Sequence, residues 1–118
     1  LAVMRANHLR VMDLPGVPVR ALALGTHLPE FVARPLMLKA VGGGRGAKMP
    51  SFHIDLHSGR GKSEVDWLNG AVVRYGNKAG IPTPVNKLLT GILLELTQGE
   101  LPLETYAHLP EKLLARIP

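Results

Sequence analysis

From Ser63 to Gly99 the chain spells out two consecutive helices with only a few residues between them. That arrangement constrains the fold more than any other feature. Val65, Leu68, Val72, Tyr75 and Ala79 recur at helical spacing and predict one core-facing stripe. Ser63 followed by Asp66 has the spacing of a capping box, with Asp where Glu or Gln is usual. Gly80 suits a left-handed helix end, with Ile81 placed to pack back on the last turn. Thr83 then stands at a capping position and Pro84 at the first position of the second helix. Val85, Leu88, Leu89, Ile92 and Leu96 predict its apolar face, and Gly99 its stop. The short turn at Ile81-Pro82 predicts an antiparallel pair.

The rest of the chain reads as shorter helices. Residues 1–8 look like the end of a helix, and Asp13-Leu14-Pro15-Gly16 is a turn signal. Val17 to Leu24 alternates like a strand but carries good helix formers, and helix is the expectation. A helix starts at Pro29-Glu30, and Pro35 inside it should kink or break it. Gly42 to Gly46 reads as a flexible connector, Pro50 to His57 as a short helix, and Glu111 to Ile117 as a last one. The expected class is all-α, a helical bundle forming one domain over residues 1–118. Leu1 opens in mid-helix without a cap, so residues upstream are expected to be missing.

A chain of 118 residues can bury a core without disulfides or a structural metal. With no cysteine, disulfides and thiolate chemistry are excluded, and a reducing, cytoplasmic setting is expected. No apolar run approaches a membrane span, so no membrane partner is expected. The net charge of +5 invites a nucleic-acid reading, but the 14 Lys and Arg residues are scattered. Aromatics at 4% are too few for base-stacking platforms, and no nucleic-acid partner is expected.

Motifs for chemistry are sparse. Gly42-Gly43-Gly44-Arg45-Gly46-Ala47-Lys48 lacks the strand and the Gly-Lys-Ser/Thr of a phosphate loop. His53 and His57, four apart, share a helical face, but no third ligand accompanies them, so no metal site is expected and two partly exposed histidines are the reading. No serine–histidine–acid triad can be assigned. On composition alone Ser51 and Glu64 are ordinary helix-start residues.

The stretch Pro50-Ser51-Phe52-His53-Ile54-Asp55, the Gly59-Arg60 connector and Ser63-Glu64-Val65-Asp66-Trp67-Leu68-Asn69-Gly70 together resemble the signature of ketopantoate reductases. Gly80-Ile81-Pro82-Thr83-Pro84-Val85-Asn86 resembles the turn that follows in that family. The resemblance covers Lys48 to about Leu96. It implies the helical C-terminal domain of such an enzyme, a fold like the C-terminal domain of 6-phosphogluconate dehydrogenase. It further implies an N-terminal Rossmann domain that binds NADPH, and reduction of 2-dehydropantoate to pantoate on the route to pantothenate and coenzyme A. By the same resemblance Glu64 is the active-site glutamate and Ser51 the substrate serine. The general-acid lysine lies on a helix expected before residue 1, and Lys48 and Lys62 are not its equivalents.

The sequence departs from the pattern at several points. Lys48 stands where the family often has a substrate-binding asparagine, and it is expected to contact the substrate carboxylate. Phe52 and His53 replace Met-Leu, and Ser63 replaces Thr. The isolated chain, without a dinucleotide fold, is expected to be inactive. Self-association into a homodimer is a further expectation, since removing a partner domain exposes apolar surface. The alternative is a basic helical module that binds nucleic acid or protein without catalysis.

Overall fold

The computed structural model describes residues 1–42 and 50–117. They fall into two compact units, Leu1–Lys48 and Met49–Pro118. Every regular element among the described residues is helical, as the all-α reading requires. The glycine-rich connector from Gly43 onward lies outside the described residues, as does Lys48.

The first unit contains α1 (Ala2–Ala6), α2 (Val19–Gly25) and α3 (Glu30–Gly42). The expected turn is present: Leu14 and Val17 exchange backbone hydrogen bonds of 3.1 and 2.9 Å around Pro15-Gly16. The ambiguous stretch divides there, with Val17 in the bridge and helix from Val19 onward. Pro18 has no side-chain acceptor for the orphan amides of α2. Asp13 supplies one instead: its Oδ1 accepts the Arg20 N–H at 2.8 Å and its Oδ2 the Arg20 Nε–H at 2.7 Å. The Arg20 backbone N–H, aided by the Arg20 side chain, lowers the Asp13 pKa below its ordinary value.

Helix α3 continues through Pro35, where the sequence predicted a kink or break. The missing N–H leaves the Phe31 carbonyl without its helical donor. Phe31 itself is 80% exposed. Helices α2 and α3 pack at Gly25, which is buried because the Met37 methyl lies where a Cβ would go.

The second unit contains α4 (Ser51–His57), α5 (Val65–Lys78), α6 (Pro84–Gln98), a 3-10 turn at Leu103–Thr105 and α7 (Pro110–Leu114). Both long helices end as the sequence predicts. The Ile81 N–H reaches the Gly76 carbonyl at 2.8 Å and the Gly80 N–H the Asn77 carbonyl at 3.2 Å. The Glu100 and Gly99 amides do the same for Glu95 and Leu96, at 2.8 and 3.3 Å. Each is a Schellman motif, and each needs a left-handed residue: Gly80 has φ 67° and Gly99 φ 78°.

The start of α5 differs from the expected capping box. Glu64, not Ser63, occupies the capping position. Ser63 Oγ accepts the Val65 N–H at 3.2 Å, two residues on. Asp66 is drawn away by Arg74, whose guanidinium meets its carboxylate at 2.8 Å and its carbonyl at 2.9 Å. The pair spans two turns because Gly70 lies beneath it; a Cβ there would come within 2.7 Å of Asp66 Oδ1.

Helices α5 and α6 form the main packed pair, and α4 also touches α6. Their pairing differs from a tight antiparallel hairpin, in which the first turn of α6 meets the last turn of α5. Here Asn69 Nδ2 donates to Asn86 Oδ1 at 3.2 Å, joining the first turn of α6 to the second turn of α5. Ile81 and Thr83 each precede a proline and are pushed out of the helical region, so α6 starts anew after the turn.

The core is small: Val65, Ile92 and Leu96 are buried, along with Gly70 and Gly76 of α5. The predicted stripe of α5 is rotated in consequence. Val65, Asn69, Val72 and Gly76 share one helical face, whereas Leu68 and Tyr75 lie to its side and are 54% and 52% exposed. On α6, Ile92 and Leu96 are buried and Leu88 and Leu89 half-buried, while Val85 is exposed.

Candidate functional site

Ser51 is the first residue of α4, preceded by Pro50 in an extended conformation that donates nothing. Its hydroxyl is exposed. Glu64 sits at the head of α5, also exposed. Among the described residues, neither the Ser51 hydroxyl nor the Glu64 carboxylate is engaged in a hydrogen bond or ion pair.

Asp55, in the last turn of α4, is bonded to the start of α5. Its Oδ2 accepts the Glu64 N–H at 2.9 Å, so a carboxylate of α4 caps the amide that opens α5. The connector is shaped for that contact. Ser58 Oγ donates to the Asp55 carbonyl at 2.7 Å and accepts the Arg60 N–H at 3.3 Å, closing the turn after α4. Ser51 and Asp55 are four residues apart on one helix, hence on one face about 6 Å apart along the axis. Ser51 and the backbone of Glu64 therefore address the same side of α4.

Sequence reading had missed Asp55 in this role. Nothing local to it announces a contact nine residues away. The Asn69–Asn86 bridge was equally silent, because each amide reads as a surface residue until the helices are paired. Lys48 lies outside the described residues.

On the opposite edge of α4 the imidazoles of His53 and His57 stack, with centroids 4.2 Å apart and planes inclined by 31°. The His57 Nδ1–H donates to the His53 carbonyl at 2.9 Å. Both rings are exposed. Among the described residues no group of three potential metal ligands occurs. No helix is long and apolar enough to cross a membrane.

Residues 6–97 match the model of the family described as ketopantoate reductase PanE/ApbA C terminal. The chain therefore belongs to the C-terminal domain family of the ketopantoate reductases, which are oxidoreductases. A similar curated protein is the 2-dehydropantoate 2-reductase of Pyrobaculum aerophilum, 53% identical over 32 residues. That match covers 27% of this chain and 12% of the relative. No solved structure matches the chain.

Proposed function

We propose that this chain is the substrate-side domain of an NADPH-dependent 2-dehydropantoate 2-reductase. In this reading Ser51 and Lys48 hold the keto acid and Glu64 serves its reacting end. Family membership and the short curated match support the reaction class. The observation that supports the site is the hold of Asp55 on the Glu64 amide, which fixes the backbone that carries the Glu64 side chain.

No strand–turn–helix unit occurs among the described residues, so these residues do not form a dinucleotide cradle. NADPH, the proposed hydride source, is assigned to an N-terminal Rossmann domain of the same protein, in the cytoplasm. The residues here serve the substrate. Reduction of a ketone builds negative charge on its oxygen, which a proton donor must quench. The Glu64 carboxylate keeps a cationic donor charged and oriented. The Ser51 hydroxyl donates to a carboxylate oxygen of the substrate or accepts from its hydroxyl. Lys48 contributes positive charge toward that carboxylate.

The test is the intact reductase assayed with 2-dehydropantoate and either NADPH or NADH. Pantoate formation that prefers NADPH, with a raised KM for the keto acid in Ser51→Ala, is the expected result. No turnover of 2-dehydropantoate alongside turnover of another 2-keto acid would move the substrate assignment. An unchanged KM in Ser51→Ala would remove Ser51 from the site.

A further inference from the structure

We propose that the row Glu64, Leu68, Ala71 and Tyr75 along α5 is the seat of a second helix of the same protein, the one that carries the cationic proton donor. The inference rests on the reductase reading of Glu64. It adds to that reading the surface that brings the donor to the carboxylate.

Glu64 stands in helical register with the row. Its backbone angles are φ −62° and ψ −13°, and its carbonyl accepts the Leu68 N–H at 3.0 Å. At helical spacing the four positions fall within about 60° of one another around the axis. They lie to the side of the face that meets α6 through Asn69. Leu68 and Tyr75 are therefore left exposed, and Trp67 beside them is 75% exposed. Apolar residues scattered over a surface are ordinary, whereas a contiguous apolar patch marks a contact.

The two ends of the row specify what makes that contact. Glu64 is at one end. At the other is Lys78, its Nζ 5.4 Å from the centre of the Tyr75 ring. Among the described residues neither is in an ion pair. The complementary element is therefore apolar along its middle, with a cation against Glu64 and an anion against Lys78. Helix α5 has 14 residues, about 21 Å at helical rise. The element that matches this length and charge pattern is an amphipathic helix of about four turns. Ala71, the small residue midway, leaves the groove that a ridge of the partner needs at an axis separation of about 8–10 Å. The opposite charges at the two ends fix which way the partner runs. Packing on Leu68 and Tyr75 then holds its cation at Glu64, where the carboxylate keeps it protonated.

Photo-cross-linking in the intact reductase tests the proposal. Trp67, and separately Tyr75, is replaced by the aromatic cross-linker p-benzoylphenylalanine, an exchange of ring for ring at exposed positions. Asn77, on the other side of α5 at helical spacing, receives it as a control. Mass spectrometry maps the links. Both row positions should link, within one polypeptide, to one lysine-bearing helix outside residues 1–118. The Trp67 link should lie nearer the lysine than the Tyr75 link, and Asn77 should not reach that helix. Leu68→Asp, which sets a charge in the apolar row, should abolish both links. Links into residues 1–118 or to a second copy, a reversed order, equal linking from Asn77, or no link at all would overturn the proposal. The map reads the contact whether or not the keto acid turns over, so failure of the reductase reading shows in the pantoate assay alone.

Discussion

Helices α5 and α6 differ from α4 in how they are held. The two long helices bury Val65, Ile92 and Leu96, stop at Schellman glycines and are bridged by Asn69 and Asn86. Helix α4 has seven residues, none of them buried, and no side-chain cap of its own. Its described side-chain link to the start of α5 is the Asp55 carboxylate on the Glu64 amide. The difference separates two duties. Packing supplies a rigid frame, and the candidate chemistry sits at an edge where side chains remain open to a ligand.

The largest expected effect strikes the frame. Ile92→Ala removes most of a side chain buried, among the described residues, with Val65 and Leu96 and should cost about 2–5 kcal/mol. Denaturant unfolding of the second unit's helices, followed by circular dichroism, measures it. A loss under about 1 kcal/mol would mean that α5 and α6 are not the stabilising pair. Gly80→Ala should cost about 1–2 kcal/mol, because φ 67° disfavours any residue with a Cβ. The same substitution at Gly91, which has open space and a helical backbone, should be neutral or stabilising. Equal effects at both glycines would contradict the assigned helix end.

The link between frame and edge is next. Asp55→Ala should cost about 1 kcal/mol, the scale of a lost helix cap, and should raise hydrogen exchange at the Glu64 amide. Asp55→Asn keeps an acceptor and should lose less. Smallest is the pH dependence of the first unit. Asp13 is lowered below its ordinary value by the Arg20 backbone N–H first and the Arg20 side chain second. A lowered folded value means its stabilising contribution is present above the unfolded value and lost as pH falls through the folded one. Carboxyl titration by NMR should find Asp13 low. Arg20→Ala should return it only part of the way, because the backbone donor remains.

Local signals carried most of the fold. Gly80, Gly99 and Pro84 mark helix ends by conformational rules that neighbours do not override, and each stands where expected. What misled was reading hydrophobicity as burial. Leu68 and Tyr75 completed an apolar period, but the packed face of α5 runs through Asn69 and Gly76, which no hydropathy scale selects. Ile81-Pro82 predicts a short turn between adjoining helix ends, and the Asn69–Asn86 bond instead sets the first turn of α6 beside the second turn of α5. The capping box failed because Arg74, eight residues along, competes for Asp66. Ser51 and Glu64 emerged through resemblance, since neither residue type nor spacing distinguishes them from helix starts. Asp55 stayed hidden because a contact across a nine-residue connector depends on how that connector folds.

In the proposed reductase, Glu64 is held by its backbone and its carboxylate acts at the substrate's reacting end. The direct measurement is the intact reductase carrying Glu64→Gln, with kcat, KM and thermal midpoint determined together. The expected result is a kcat lowered by roughly 100-fold, within the range for proton-transfer machinery, with the midpoint at the wild-type value. Wild-type turnover, or a loss of activity that only tracks a lowered midpoint, would contradict it and leave Glu64 a helix-start residue.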